Sequence, residues 1–167
     1  DSQAAGLIWP SMQFEVAENC MTCHGLAHPG LKADDLAKML GAGHPINTDF
    51  ELVKYSQGSV RHRHYAPDIK TNAEMTPQEL ANIYAVGQAA ALVSATEAMS
   101  KSSEEKYKEA QKKRVEIAKG ALSGISEASG LLAAPTRQNA LSFVKSIAGK
   151  DLTGAVGSKL PAKPDYK

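Results

Sequence analysis

Aromatic residues are scarce in this chain of 167 residues, which has three Phe, one Trp and five Tyr. So few rings exclude a large aromatic core. Cysteine is limited to two positions. Charge of one sign is not in excess: the formal net charge is +1, which gives no strong bias toward nucleic acid or membrane surfaces. No run of about twenty apolar residues exists, so no transmembrane helix is expected. The chain opens Asp1-Ser2-Gln3-Ala4-Ala5-Gly6, with neither a charged n-region nor an apolar h-region. It reads as a mature form whose export signal has been removed. At 43% hydrophobic and 22% charged, the composition is globular. The length suits one compact domain, or a small domain with an extension.

The two cysteines stand together in Cys20-Met21-Thr22-Cys23-His24. This is C-x-x-C-H, the attachment pattern of c-type haem. Two residues between the thiols let both sulfurs reach the two vinyl groups on one porphyrin edge, and the next residue brings an imidazole under the iron. Residues 12–19 can form a short helix that presents these groups on one side. A thioredoxin-like redox pair would follow a strand in a βαβ pattern, and none is visible. A structural zinc site needs a second pair of ligands. His28 and His44 have no knuckle spacing and read as loop histidines. The motif therefore predicts one covalent haem c on Cys20 and Cys23, with His24 as the proximal ligand. The haem would also supply apolar bulk that the aromatics do not.

Residues 9–91 resemble a small class I monohaem cytochrome c. A leading helix precedes Cys20-Met21-Thr22-Cys23-His24-Gly25, and a loop-rich middle follows. Next comes Tyr55-Ser56-Gln57-Gly58-Ser59-Val60-Arg61, similar to the family's approach to the distal loop. The stretch closes with Thr76-Pro77-Gln78-Glu79-Leu80-Ala81-Asn82-Ile83-Tyr84-Ala85, similar to the family's C-terminal helix. The resemblance implies an all-α class I fold around one haem, with the last helix crossing the first, so that Tyr84 or Gly87 meets Phe14, Val16 or Ala17. It also implies maturation outside the energy-conserving membrane, hence a periplasmic or extracellular protein, with both cysteines used in thioethers. The last helix stands on its own physics as well. Thr76 and Glu79 make a capping box, Pro77 fits the first helical position, and Leu80, Ile83, Tyr84 and Gly87 recur at helical spacing.

The sixth iron ligand has several candidates. The family usually supplies a Met. Met75 directly precedes the cap Thr76, where a hydrophobic staple on Leu80 is the ordinary role. At the place where relatives carry the Met, this chain reads Arg61-His62-Arg63-His64-Tyr65. His64 or Met75 is therefore the expected distal ligand, with His62, Tyr65 or an open site as further alternatives; the basic loop could equally be a solvated rim of the haem edge. Pro29 is a candidate carbonyl partner for the proximal ring. Trp9 and Tyr55 read as haem-edge or core packing.

The family resemblance stops at Leu92. Residues 94–126 are rich in Ala, Glu and Lys and predict a helix, with Tyr107, Arg114, Ala118, Ala121, Leu122 and Ile125 as an apolar stripe and Lys112-Lys113-Arg114 as a solvated run. Ser129-Gly130 predicts a turn. Residues 136–148 predict a second helix, with Leu141, Val144, Ile147 and Ala148 on one side and Gly149 as its stop. Residues 157–167 read as an extended arm. The expected organisation is a haem domain over 1–91 and an appended helical hairpin with its tail over 92–167.

No acid–base pair or nucleophile constellation stands out, so an electron carrier that docks with redox proteins is expected rather than an enzyme. Two further classes stay open: a haem-based gas sensor or small peroxidase-like enzyme, and a cytochrome subunit of a larger redox assembly or homo-oligomer formed through the helical extension.

Overall fold

The computed structural model describes residues 6–8, 12–58 and 74–167. All regular structure among them is helical: α1 (Gln13–His24), α2 (Ala33–Gly41), α3 (Leu52–Ser56), α4 (Pro77–Lys101), α5 (Glu105–Leu122), α6 (Ser129–Ala133), α7 (Arg137–Ile147) and α8 (Thr153–Val156), with short 3-10 turns after α5 and near the C-terminus. The all-α expectation therefore holds. No helix among the described residues is long and apolar enough to cross a membrane.

The central element is α4. Thr76 accepts from the Glu79 N–H while the Glu79 carboxylate accepts from the Thr76 N–H, so the capping box forms with Pro77 at the first turn. From Ala81 to Val93 nearly every side chain of α4 is buried, as suits a helix covered on all sides. α1 packs on it through Phe14, Ala17 and Met21, α5 returns along it, and α3, α7 and α8 cover the rest. Gly87 marks a close approach: a Cβ there would lie 2.8 Å from the Leu52 Cβ. Leu52 of α3 fills the space at Gly87, while Tyr84, the other residue expected at the crossing with α1, shares the main cluster with Phe14 and Ala17. The start of α1 lines one groove together with Gln78, Glu79, Asn82 and Val86 of α4.

The position 91/92, expected to divide the haem domain from the extension, lies inside α4. One hydrophobic cluster runs from Phe14 through Leu92 to Phe143 and Val156, joining residues from both sides of it. A second, smaller cluster joins Leu26, Leu36, Ala37, Ala98 and Tyr107. The single helix expected over residues 94–126 is broken at 102–104. There Ser102 Oγ donates to Asp34 Oδ1 at 3.2 Å and accepts from the Glu104 N–H at 3.1 Å. Serine oxygens that bond nearby backbone in this way compete with the helix ladder.

Further along, Ser129 and Gly130 open α6 instead of forming a turn, with Ala128 and Leu131 buried beside them. α7 is capped by Thr136, whose side chain accepts from the Asn139 N–H, and Gly149 just beyond its end has φ +74°. Its buried face is Ala140, Phe143 and Ile147, with Leu141 and Val144 only partly covered, so the apolar stripe is rotated toward Phe143 relative to the expected one. The tail is not a free arm. The Lys167 N–H donates to the Lys54 carbonyl at 2.9 Å, Lys163 pairs with Glu74 at 2.6 Å, and Tyr166 packs on the main cluster.

Candidate functional site

The C-x-x-C-H residues form the last two turns of α1. Phe14, Ala17 and Met21 lie at spacings of three and four and anchor one face in the core. Cys20 and His24, four apart, share another face, with Cys23 one turn from Cys20. Cys20 is half-buried against the main cluster, Cys23 is exposed, and both thiols are free. Burial pushes the Cys20 thiol above its ordinary value.

The His24 imidazole is held by ring contacts. It stacks on Phe50 with centroids 4.1 Å apart and planes 14° from parallel, and Tyr55 lies tilted at 5.5 Å. Phe50 and Tyr55 are themselves 4.8 Å apart. Asn47 ties this wall to α1: its N–H donates to the His24 carbonyl at 3.0 Å and its Nδ2 donates to the Tyr55 hydroxyl at 2.7 Å. The His24 ring nitrogens make no hydrogen bond among the described residues, and burial lowers the imidazole pKa, which favours the neutral form that binds metals. Neither Phe50 nor Asn47 was singled out from sequence, because the loop from 42 to 50 carries no periodic signal.

α1 ends in a Schellman arrangement: the Ala27 N–H donates to the Thr22 carbonyl at 3.1 Å and the Leu26 N–H to that of Cys23 at 3.0 Å. The left-handed residue in such an ending is usually Gly, yet here it is Leu26, at φ 46°. For a non-glycine residue this conformation costs on the order of 1 kcal/mol. Burial of Leu26 in the second cluster and a 2.6 Å hydrogen bond from the Tyr107 hydroxyl to its carbonyl hold it there.

Tyr107 belongs to a stripe on α5 that clasps the motif. Gln111 Nε2 donates to the Gly25 carbonyl at 3.0 Å, and Arg114 Nη1 donates to the same carbonyl at 3.2 Å and to Gln111 Oε1 at 2.6 Å. Arg114 is 3% exposed. The sequence placed it both on the apolar stripe and in a solvated basic run. The stripe is its actual location, since Lys112 and Lys113 face solvent while Arg114 turns inward. The spacing of 107, 111 and 114 was the available signal for this clasp.

The remaining candidates lie elsewhere. Met75 is partly buried, its Sδ accepts from Gln57 Nε2 at 3.4 Å, and it lines a cavity of about 370 Å³ together with Leu80 and Tyr166. Leu80 is its expected staple partner, and His24 is not among the lining residues of that cavity. His62, His64 and Tyr65, like Trp9, lie outside the described residues. Pro29 is exposed and makes no hydrogen bond with the His24 ring. His28 Nδ1 accepts from the Gly30 N–H at 3.1 Å, and His44 Nδ1 sits 2.8 Å from the Pro45 carbonyl; both side chains are on exposed loops. Among the described residues no group of three His, Cys, Asp or Glu side chains converges as a metal site. Comparison of the chain with family models, curated proteins and solved structures gives no match.

Proposed function

We propose that this chain is an electron carrier of the periplasm or cell exterior, holding one c-type haem through Cys20 and Cys23 with His24 as an axial ligand. The observation that carries this reading is the C-x-x-C-H motif at an accessible helix end, with both thiols free and an imidazole whose ring nitrogens are unbonded among the described residues. A bound haem supplies an iron that changes between two oxidation states. The chain's own residues do the rest. Two thioethers prevent loss of the group. Phe50 and Tyr55 fix the plane of the His24 ring, and the α5 clasp fixes the helix end that carries it. The exposed side of Cys23 and His24 is the face for a redox partner. The class I fold is part of the same proposal.

The test is extraction of the purified, full-length protein with acidified organic solvent, followed by an alkaline pyridine haemochrome spectrum. The expected result is haem that stays with the protein and shows the spectrum of saturated side chains, and its loss when Cys20 and Cys23 are both replaced by Ala. Haem that is fully extractable, or absent from protein made with an intact maturation system, would overturn the reading.

For the sixth ligand we favour His64 over Met75. The Met75 sulfur already accepts from Gln57 at a helix-staple position. A second imidazole is the stronger donor to ferric iron, so the ferric protein should lack the weak red charge-transfer band of iron–sulfur ligation. Met75→Leu should leave the visible spectrum unchanged, and His64→Ala should open the iron to carbon monoxide. A red band in the wild type that Met75→Leu abolishes would assign the ligand to Met75 instead.

A further inference from the structure

The most unusual buried group in the molecule is Arg114. Its guanidinium fills the space a side chain at position 25 would occupy: a Cβ on Gly25 would lie 2.4 Å from Nη2. Nη1 donates to the Gly25 carbonyl, next in sequence to His24, and to Gln111 Oε1, and Nη2 lies 3.2 Å from the Met21 sulfur. Each of these acceptors is uncharged, and no carboxylate pairs with the guanidinium among the described residues. Charged side chains are almost never fully buried unless paired, so a lone cation held at this point by a built set of acceptors calls for a role.

We propose that Arg114 is a positioning and potential-setting residue, a fixed positive charge locked behind the helix end that carries His24 and acting through that helix end to raise the reduction potential of the iron. The proposal rests on the haem reading above. Oxidation of the iron adds one positive charge to the motif, and a nearby buried cation opposes it, so the ferrous state is favoured. Bulk salt screens a buried charge far less than a surface one. Desolvation lowers the guanidinium pKa, but only to about 10, so the charge is present throughout the neutral range. The α5 clasp thus couples the helical extension to the redox site, which the surface run Lys112-Lys113 cannot do as strongly.

The test is a redox titration of the haem-loaded, full-length protein with Arg114→Met, Arg114→Lys and Gln111→Glu, each first checked for covalent haem and for an unchanged visible spectrum. Arg114→Met removes the charge while keeping an unbranched apolar stem. Gln111→Glu keeps the arginine and sets a carboxylate beside it, so it reports on the charge even if the Met variant does not fold. At a fixed solution potential, both should raise the ferric-to-ferrous ratio about tenfold, equivalent to about 59 mV for one electron, and Arg114→Lys should stay within about twofold of wild type. The differences should persist at high salt. Overturning results are a wild-type potential in Gln111→Glu, or equal shifts in the Met and Lys variants, which would mark a packing role alone. A wild-type protein without covalent haem would overturn the haem reading itself, and is distinguished because it is read before any titration.

Discussion

Truncation of the chain after Lys101 is expected to abolish cooperative folding. The residues removed include Leu122, Ile125, Leu131, Phe143, Ile147 and Val156, each at most 3% exposed and each part of the main cluster. At about 1.5–3 kcal/mol for each large apolar side chain withdrawn from water, these six alone contribute roughly 9–18 kcal/mol. That is as large as the whole net stability of an ordinary domain, about 5–15 kcal/mol. The cut also leaves the Gly25 and Leu26 carbonyls without Gln111, Arg114 and Tyr107, and leaves Leu26 in a left-handed conformation without its support. Denaturant titration by circular dichroism should show no sigmoidal transition for residues 1–101. Limited proteolysis of the full chain should spare α4 and α5 rather than trim back to about residue 91. A stable, cooperatively folding fragment 1–101 would show the extension to be a detachable arm.

That position 91/92 falls inside α4 shows which kind of information the sequence leaves out. Local rules were legible. The capping box at Thr76, the stop at Gly149 and the stripe from Tyr107 to Leu122 are each set by residues within a turn or two of one another, and each forms as expected. The motif was legible for the same reason, because its three groups lie within five consecutive residues. The partners those elements choose were not legible. Leu52 fills the notch at Gly87, which only the folded chain brings together. Phe50 stacks on His24 from a loop with no repeat, and Asp34 breaks the long helix by bonding Ser102 at a separation of 68 residues. Arg114 illustrates the limit best. Its place on the apolar stripe and its charge pointed in opposite directions, and two uncharged oxygens on other residues decide between them.

Raising the pH from about 5 to 8 is expected to destabilise the protein through Glu51, whose carboxyl burial pushes up from 4.5 to about 7. Its oxygens cap α3 by accepting from the Val53 N–H at 2.9 Å and the Lys54 N–H at 2.8 Å, and these bonds favour the ionised form, but desolvation outweighs them. Tyr84 and Tyr166 feel the Glu51 charge and have their own phenols held above the ordinary value, with burial the larger cause, while Lys54 supplies only a weak opposing attraction. The sign follows from linkage. Between about pH 4.5 and 7 the native state holds a proton at Glu51 that the unfolded chain has released, so stability falls as pH rises through this window and levels off above it. The gap between the two values corresponds to roughly 3 kcal/mol. Glu51→Gln cannot ionise and, like the protonated carboxyl, offers one carbonyl oxygen to the α3 N–H groups. The variant should therefore be close to the wild type near pH 4.5 and the more stable protein at pH 8, by roughly 3 kcal/mol. Urea midpoints of both proteins across this range would show the two profiles diverging as the pH rises. Parallel profiles would mean that the Glu51 carboxyl ionises in the native protein as it does in the unfolded chain.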